Sequence, residues 1–168
     1  RTESGVSPLA FPPLPGEMVK ADSYEHDEMG ITTEDPGETV AMQEKRLGKL
    51  THLEREVHAL PAVRVTGPPD ATTALLCWGS NGPVCEEAAA GLGLKVVRPL
   101  VLWPFPGDQV HAALEGVERA ICVENNATGQ LVDLLRLHGM DVDDAVRKYD
   151  GRAFWVDDLE AGLAEALS

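Results

Sequence analysis

Positive charge is what this sequence lacks most: 14 lysines and arginines stand against 28 aspartates and glutamates, a formal charge of −14. The deficit is even, with six basic against twelve acidic residues through Pro61 and eight against sixteen after it. No basic stripe exists. That excludes the electrostatic footprint of a nucleic-acid-binding protein and gives no attraction to an anionic membrane surface. The acidity is read as a means of staying in solution. Cysteine is scarce too. Cys77, Cys85 and Cys122 are the only three, with no tight spacing, which excludes a disulfide framework and a zinc or iron–sulfur cradle. Cys77 and Cys122 sit in apolar runs, where a free cysteine acts as a small core residue. A reducing, cytoplasmic compartment is expected. No apolar run is long enough to span a bilayer, and the first residues do not read as a signal peptide. The chain opens on Arg1 rather than Met, so a processed chain or a piece of a longer one is expected.

Several catalytic motifs are missing as well. W-G-S-N-G-P, 78–83, is a glycine turn without the lysine of a P-loop or the three-glycine spacing of a dinucleotide fingerprint. It can present N–H groups to a phosphate, or it is a plain tight turn. Ser80 follows Gly79 directly, so it is not the nucleophile of a G-x-S-x-G elbow. His52 and His58 fall on a long charged helix and offer no convincing base.

What is present is a strong order of elements. The 168 residues suggest about one ordinary domain plus an appendage. Residues 1–16 carry Pro8, Pro12, Pro13 and Pro15 and have no period, so they read as irregular; 17–24 reads as one short strand. Asp35 then fits an N-cap, Pro36 the first helical position and Glu38 the third residue after the cap. Val40, Leu47, Leu50, Leu53, Val57 and Leu60 follow at a three/four repeat up to Pro61. The spacing predicts a helix over 36–61, about seven turns and roughly 36 Å long at 1.5 Å per residue. One narrow apolar stripe does not stabilise so long a helix alone, so it is expected to lie along a neighbour.

After 62 the pattern changes to apolar runs alternating with helical segments. Strands are expected over 73–80, 94–102 (interrupted by Pro99) and 119–124. Helices are expected over 82–92, 109–116, 130–138 and 156–167, and edge strands over 63–65 and 146–149. Strands that are apolar throughout imply a mainly parallel sheet covered on both faces. The expected fold class is therefore α/β, a small doubly wound sheet over 62–168. In such sheets the loops at the carboxyl ends of the strands meet ligands and partners.

Two polar clusters stand out. In E-N-N-A-T-G-Q, 124–130, Glu124 ends a buried strand, and Asn125, Asn126 and Thr128 can bond local backbone or a ligand. One reading is an Asx turn capping the next helix, with Thr128 as N-cap; the other is a binding loop. In E-H-D-E, 25–28, a divalent site using Glu25, His26 and Glu28 competes with a salt-linked turn.

S-Y-E-H-D-E-M-G-I-T-T-E-D-P (23–36) and M-Q-E-K-R-L-G-K-L (42–50) resemble the alpha subunit of 2-oxoacid:ferredoxin oxidoreductases, the 2-oxoglutarate type in particular. W-G-S-N-G-P, L-W-P-F-P, V-E-N-N-A-T-G-Q-L and R-K-Y-D-G-R-A-F continue the likeness in order, and T-E-S-G-V-S-P opens it. One departure is Leu9, where the family often has arginine after Ser-Pro.

The resemblance implies the C-terminal portion of such a subunit. Its parts would be the tail of an upstream pyrimidine-binding domain (1–35), a connecting helix (36–61) and a transketolase C-terminal-like α/β domain (62–168). It implies oxidative decarboxylation of a 2-oxoacid to acyl-CoA with reduction of ferredoxin. Thiamine diphosphate, Mg2+, a [4Fe–4S] cluster and coenzyme A are expected in the assembled enzyme and none of them in this chain. Partners implied are the beta subunit, the remainder of alpha and ferredoxin. No catalytic or metal-ligating residue is assigned. Glu25, His26, Asp27, Glu28, Ser80, Asn81, Glu124, Asn125, Asn126, Thr128 and Gln130 are taken as site-shaping or interface residues. The rival readings are a stand-alone flavodoxin-like module binding an anion at the glycine turn, and a pure assembly domain.

Overall fold

The structure, a computed structural model, describes residues 2–8, 15–16 and 20–168. Leu9 lies outside these residues, as do Pro12, Pro13 and 17–19 of the expected 17–24 strand; 20–24 form no strand. The chain divides into two compact units, Arg1–Glu56 and Val57–Ser168.

In the first unit the described strands lie beyond residue 24. β1, Glu25–His26, pairs antiparallel with β2, Thr32–Thr33. Asp27 organises the turn between them: its Oδ1 accepts from Met29 N at 2.9 Å and Ile31 N at 2.8 Å. Gly30 supplies the positive φ of 78° that closes the turn. The acidic run is thus the first arm and corner of a short hairpin. α1, Pro36–Ala59, starts where the cap signals place it, with Asp35 Oδ1 accepting from Glu38 N at 3.0 Å. Its apolar stripe is only partly covered: Val40, Leu47 and Leu53 are exposed, and Val57 is buried.

The second unit is built on a five-stranded sheet. Its elements run β3 (Val63–Thr66), β4 (Thr73–Cys77), α2 (Asn81–Leu92), β5 (Lys95–Pro99), α3 (Gly107–Ala113), β6 (Arg119–Glu124), α4 (Gln130–Leu137), β7 (Asp144–Arg147) and α5 (Val156–Ala166). The strand order is β3-β5-β4-β6-β7. β4, β5, β6 and β7 are mutually parallel, and β3 joins β5 antiparallel as an edge. Strand alternation sorts the core into two layers. Leu75, Cys77, Val96, Ile121 and Val123 meet Cys85, Ala88 and Ala89 of α2 and Leu159 and Leu163 of α5. Ala74, Leu76, Val97, Ala120 and Cys122 meet Val110 of α3 and Leu131, Val132 and Leu135 of α4. Helices cover both faces, as a doubly wound sheet requires.

Several boundaries differ from the expected ones, β4 ending at Cys77 rather than 80 and α1 at Ala59 rather than 61 among them. β5 stops at Pro99 instead of 102, where Leu100 N turns back to Ala62 O at 2.8 Å. α3 begins at Gly107 because Pro106 O already accepts from Val110 N at 3.1 Å. β7 covers Asp144–Arg147 rather than 146–149, since its ladder to β6 begins at the Ile121↔Asp144 pair.

Candidate functional site

Reading the sheet from β4 outward, the chain crosses to β5 on one side and returns past β4 to β6 on the other. The carboxyl ends of β4 and β6 therefore flank a topological switch point, where open α/β sheets form a crevice. A cleft of about 330 Å3 lies there, lined by Trp78, Gly79, Ser80 and Asn81 after β4 and by Asn125, Asn126 and Gln130 after β6. The glycine turn and the asparagine loop, far apart in sequence, meet in one place. Trp78 and Gln130 also line an adjoining, mostly apolar cleft of about 360 Å3, with Leu102, Leu134 and Leu137.

Glu124 is the one fully buried carboxylate in this region. It sits at the start of α4, accepting at Oε2 from Leu131 N and Asn126 Nδ2, both at 2.7 Å, and at Oε1 from Val132 N at 3.3 Å. Asn126 Oδ1 accepts from the next backbone groups, Gly129 N at 2.7 Å and Thr128 N and Gln130 N at 3.2 Å. The helix end is thus capped by Glu124 and Asn126 together, not by Thr128 as the spacing suggested. An anion on the strand end compensates the unpaired N–H groups and the positive end of the helix dipole.

Asn125 Nδ2 donates to Lys148 O at 3.4 Å and Arg152 O at 3.3 Å, tying this loop to the segment after β7. Asn81, 5% exposed, reaches Val123 O at 3.4 Å. These amides are committed to the scaffold. Ser80 caps α2 by position but makes no side-chain cap hydrogen bond, and it is exposed, like Gln130. A Ser80 hydroxyl, a Gln130 amide and the Trp78 ring are what the cleft offers a ligand. No titratable side chain lines it. The cleft can hold and orient a ligand, but it has no acid or base of its own.

Sequence reasoning missed the reason for Gly82. A Cβ there would stand 1.8 Å from Arg98 Nη1 and 2.6 Å from Arg98 Cζ. The second glycine of W-G-S-N-G-P makes room for a guanidinium from β5, not for a phosphate. No local pattern links residues 82 and 98.

Glu25, His26, Asp27 and Glu28 are gathered in the first unit, three of them lining a cleft of about 410 Å3 with Thr2, Ser7, Glu38 and Lys45. Glu25 is held by Arg46 of α1 through a two-pronged ion pair, with Nη1 2.6 Å from Oε1 and Nη2 on Oε2. That pairing draws the Glu25 carboxyl below its ordinary range and raises Arg46. Asp22 is drawn down to about 2, first by the Thr32 hydroxyl at 2.8 Å and then by Tyr24 N. His26 Nε2 lies 3.2 Å from Asp22 Oδ1, at an angle that makes no hydrogen bond.

The donor set does not fit a metal or cluster among the described residues. No three His, Cys, Asp or Glu side chains converge as a metal cradle. The three thiols are free and buried. Cys85 is pushed far up by its hydrogen bond with Cys77 and by burial, and Cys122 is pushed up mainly by burial. Such thiols resist becoming the thiolates that bind metal. No helix among the described residues is long and apolar enough to cross a membrane.

No protein-family model matches the chain. Curated relatives do. It is 35% identical over 171 residues to 2-oxoacid:ferredoxin oxidoreductase 2, subunit alpha, of Aeropyrum pernix, a span covering 98% of this chain and 26% of that one. It is 32% identical over 168 residues to the 2-oxoacid:ferredoxin oxidoreductase alpha subunit of Saccharolobus solfataricus, covering 96% of this chain and 26% of that one. Among solved structures, 2-oxoglutarate:ferredoxin oxidoreductase from Magnetococcus marinus, with 2-oxoglutarate, coenzyme A and succinyl-CoA bound, matches 99% of this chain and 30% of its own. The TM-score is 0.69 at 26% identity. The chain thus spans about a quarter of the length of the curated relatives it matches. On that span, two separate landmarks, the acidic hairpin and the paired loops at the switch point, fall within one continuous likeness to the alpha subunits of 2-oxoacid:ferredoxin oxidoreductases.

Proposed function

We propose that this chain is the C-terminal portion of the alpha subunit of a thiamine-diphosphate-dependent 2-oxoacid:ferredoxin oxidoreductase. The whole enzyme converts a 2-oxoacid and coenzyme A to acyl-CoA and carbon dioxide, with reduction of ferredoxin, in the cytoplasm. Likeness to alpha subunits over 96–98% of the chain carries this reading. The bound 2-oxoglutarate and succinyl-CoA of the Magnetococcus marinus enzyme support 2-oxoglutarate as the substrate. Thiamine diphosphate, Mg2+ and [4Fe–4S] supply carbonyl chemistry and electron transfer in such an enzyme. The donor sets described above do not suit a metal or cluster, and we assign all three groups to the beta subunit and the remainder of alpha. This portion supplies walls and interface. The cleft at the switch point, with hydrogen-bonding groups and no titratable side chain, suits that role, and the exposed Val40, Leu47 and Leu53 of α1 suit burial against other polypeptide.

The test is to tag this chain in its native cell and purify what comes with it. The expected result is a complex with a beta subunit, thiamine diphosphate, an iron–sulfur absorption band and coenzyme A-dependent ferredoxin reduction by 2-oxoglutarate. Recovery of the chain free of any such complex refutes the reading; activity with another 2-oxoacid only refutes the substrate. Within the complex, Gln130→Ala lowers turnover if the cleft contacts a ligand. Unchanged turnover returns the domain to pure assembly.

A further inference from the structure

On the outer half of the sheet two arginines face each other. Arg64 of β3 and Arg98 of β5 are direct cross-strand partners, so their side chains leave the same face, the one α2 covers. Like charges directly opposite each other on a sheet are unfavourable unless something compensates them. Among the described residues the compensation is incomplete. Glu86 of α2 is the carboxylate there, with Oε1 3.3 Å from Arg64 Nε, yet that oxygen makes no hydrogen bond. Arg98 Nε is buried and has no hydrogen-bond partner either. The first turn of α2, beside the Arg98 guanidinium, contains no acidic residue. In a chain of net charge −14, two cations with one poorly aligned carboxylate run against the general balance.

The packing holds this arrangement in place. The Arg98 stem and guanidinium fill the space left by the missing side chain of Gly82, with Cδ 2.7 Å and Cζ 2.6 Å from where a Cβ would stand. Arg64 is about half exposed and opens the pair to the edge of the sheet. A planar fork held in a notch, part-exposed although its Nε is buried, with a half-exposed second arginine opposite, matches the charge and fork shape that a carboxylate or phosphate meets.

We propose that Arg98 and Arg64 form a binding site for an oxyanion that comes from outside this chain, a carboxylate or phosphate group accepted by the paired guanidinium groups. The group comes from a small anion or from an acidic side chain of another polypeptide, and the two sources are separable.

The experiment follows the arginine Nε–Hε resonances of the isotope-labelled chain by NMR. Inorganic phosphate, then acetate, is titrated at constant ionic strength against chloride, with the exposed Arg55 as internal reference. A saturable shift of the Arg98 resonance, absent from Arg55 and lost in Arg98→Lys, is expected from a small-anion site. A saturable shift produced only by a poly-glutamate peptide assigns the oxyanion to a polypeptide. If Arg98→Lys fails to fold, Arg64→Lys on the exposed edge provides the same control. The proposal is overturned if Arg98 moves no more than Arg55 with every anion. It is equally overturned if Glu86→Gln shifts the Arg98 resonance while no anion does, since Glu86 is then its partner.

Discussion

Replacing Glu124 with alanine should destabilise the second unit severely, although the residue is nowhere near water. The carboxylate is 0% exposed and serves Leu131 N at 2.7 Å and Val132 N at 3.3 Å, two groups that are themselves buried. Truncation leaves both donors unpaired. Each orphaned buried donor costs about 1–3 kcal/mol, so the expected loss is about 3 kcal/mol, with roughly 0.5 more from the helix dipole. Asn126 is only partly buried and can turn to water, so its bond adds little. Against a total stability of about 5–15 kcal/mol for an ordinary domain, this is a large fraction. The assay is urea unfolding of the chain: at a slope of about 2 kcal/mol per molar, the midpoint falls by roughly 1.5 M. Glu124→Gln keeps an acceptor oxygen and should lose about half as much. If Glu124→Ala unfolds within about 0.5 kcal/mol of the parent, the N–H groups are satisfied some other way and the capping argument is wrong. If Glu124→Gln is as harmful as alanine, the acceptor count is not what matters.

Three further outcomes are expected. Gly82→Ala must displace the Arg98 guanidinium, at a cost of about 1–3 kcal/mol; the double variant with Arg98→Ala recovers much of that cost, whereas simple additivity would show that the two do not touch. Leu163→Ala, which opens a cavity under α5 at a fully buried position, should lower stability by about 2–5 kcal/mol in the same unfolding assay. Asp22 should titrate by carboxyl NMR near 2 rather than 3.8. Because its folded value is the lower one, its support for the hairpin is complete above pH 3.8 and is lost as the pH falls towards about 2. A midpoint at the ordinary value would mean that the Thr32 and Tyr24 hydrogen bonds do not form in solution.

The parts of the fold that were legible were those where one physical signal dominates. Ala74–Cys77 and Ala120–Val123 are unbroken buried runs, and such runs announce central parallel strands. Leu159 and Leu163 recur by four and announce α5. Asp35, Pro36 and Glu38 place the start of α1 to the residue. The hairpin of Glu25–His26 and Thr32–Thr33 was not legible, because two-residue strands have no period and are held by side chains such as Asp27. The antiparallel direction of β3 was not legible either, since a four-residue edge strand with no buried residue fits both directions. For the site, the two loops were visible as strand ends, but their meeting depends on strand order, which the sequence does not state. The cap on α4 was half legible: an Asx turn capping the helix was one of the two readings of the loop, with Thr128 as its N-cap, while the roles of Asn126 and of Glu124, reaching seven residues on to Leu131, were not.

Cys77, Cys85 and Cys122 lie on adjoining elements at the centre of the second unit and are wholly screened from water. A thiol-reactive dye added to the native chain must wait for the middle of the sheet to come apart before it can attach. Its rate of uptake is therefore a stopwatch for rare global opening, read without denaturant and needing no engineered label. The same seclusion leaves these sulfurs out of reach of peroxide for as long as the sheet stays shut.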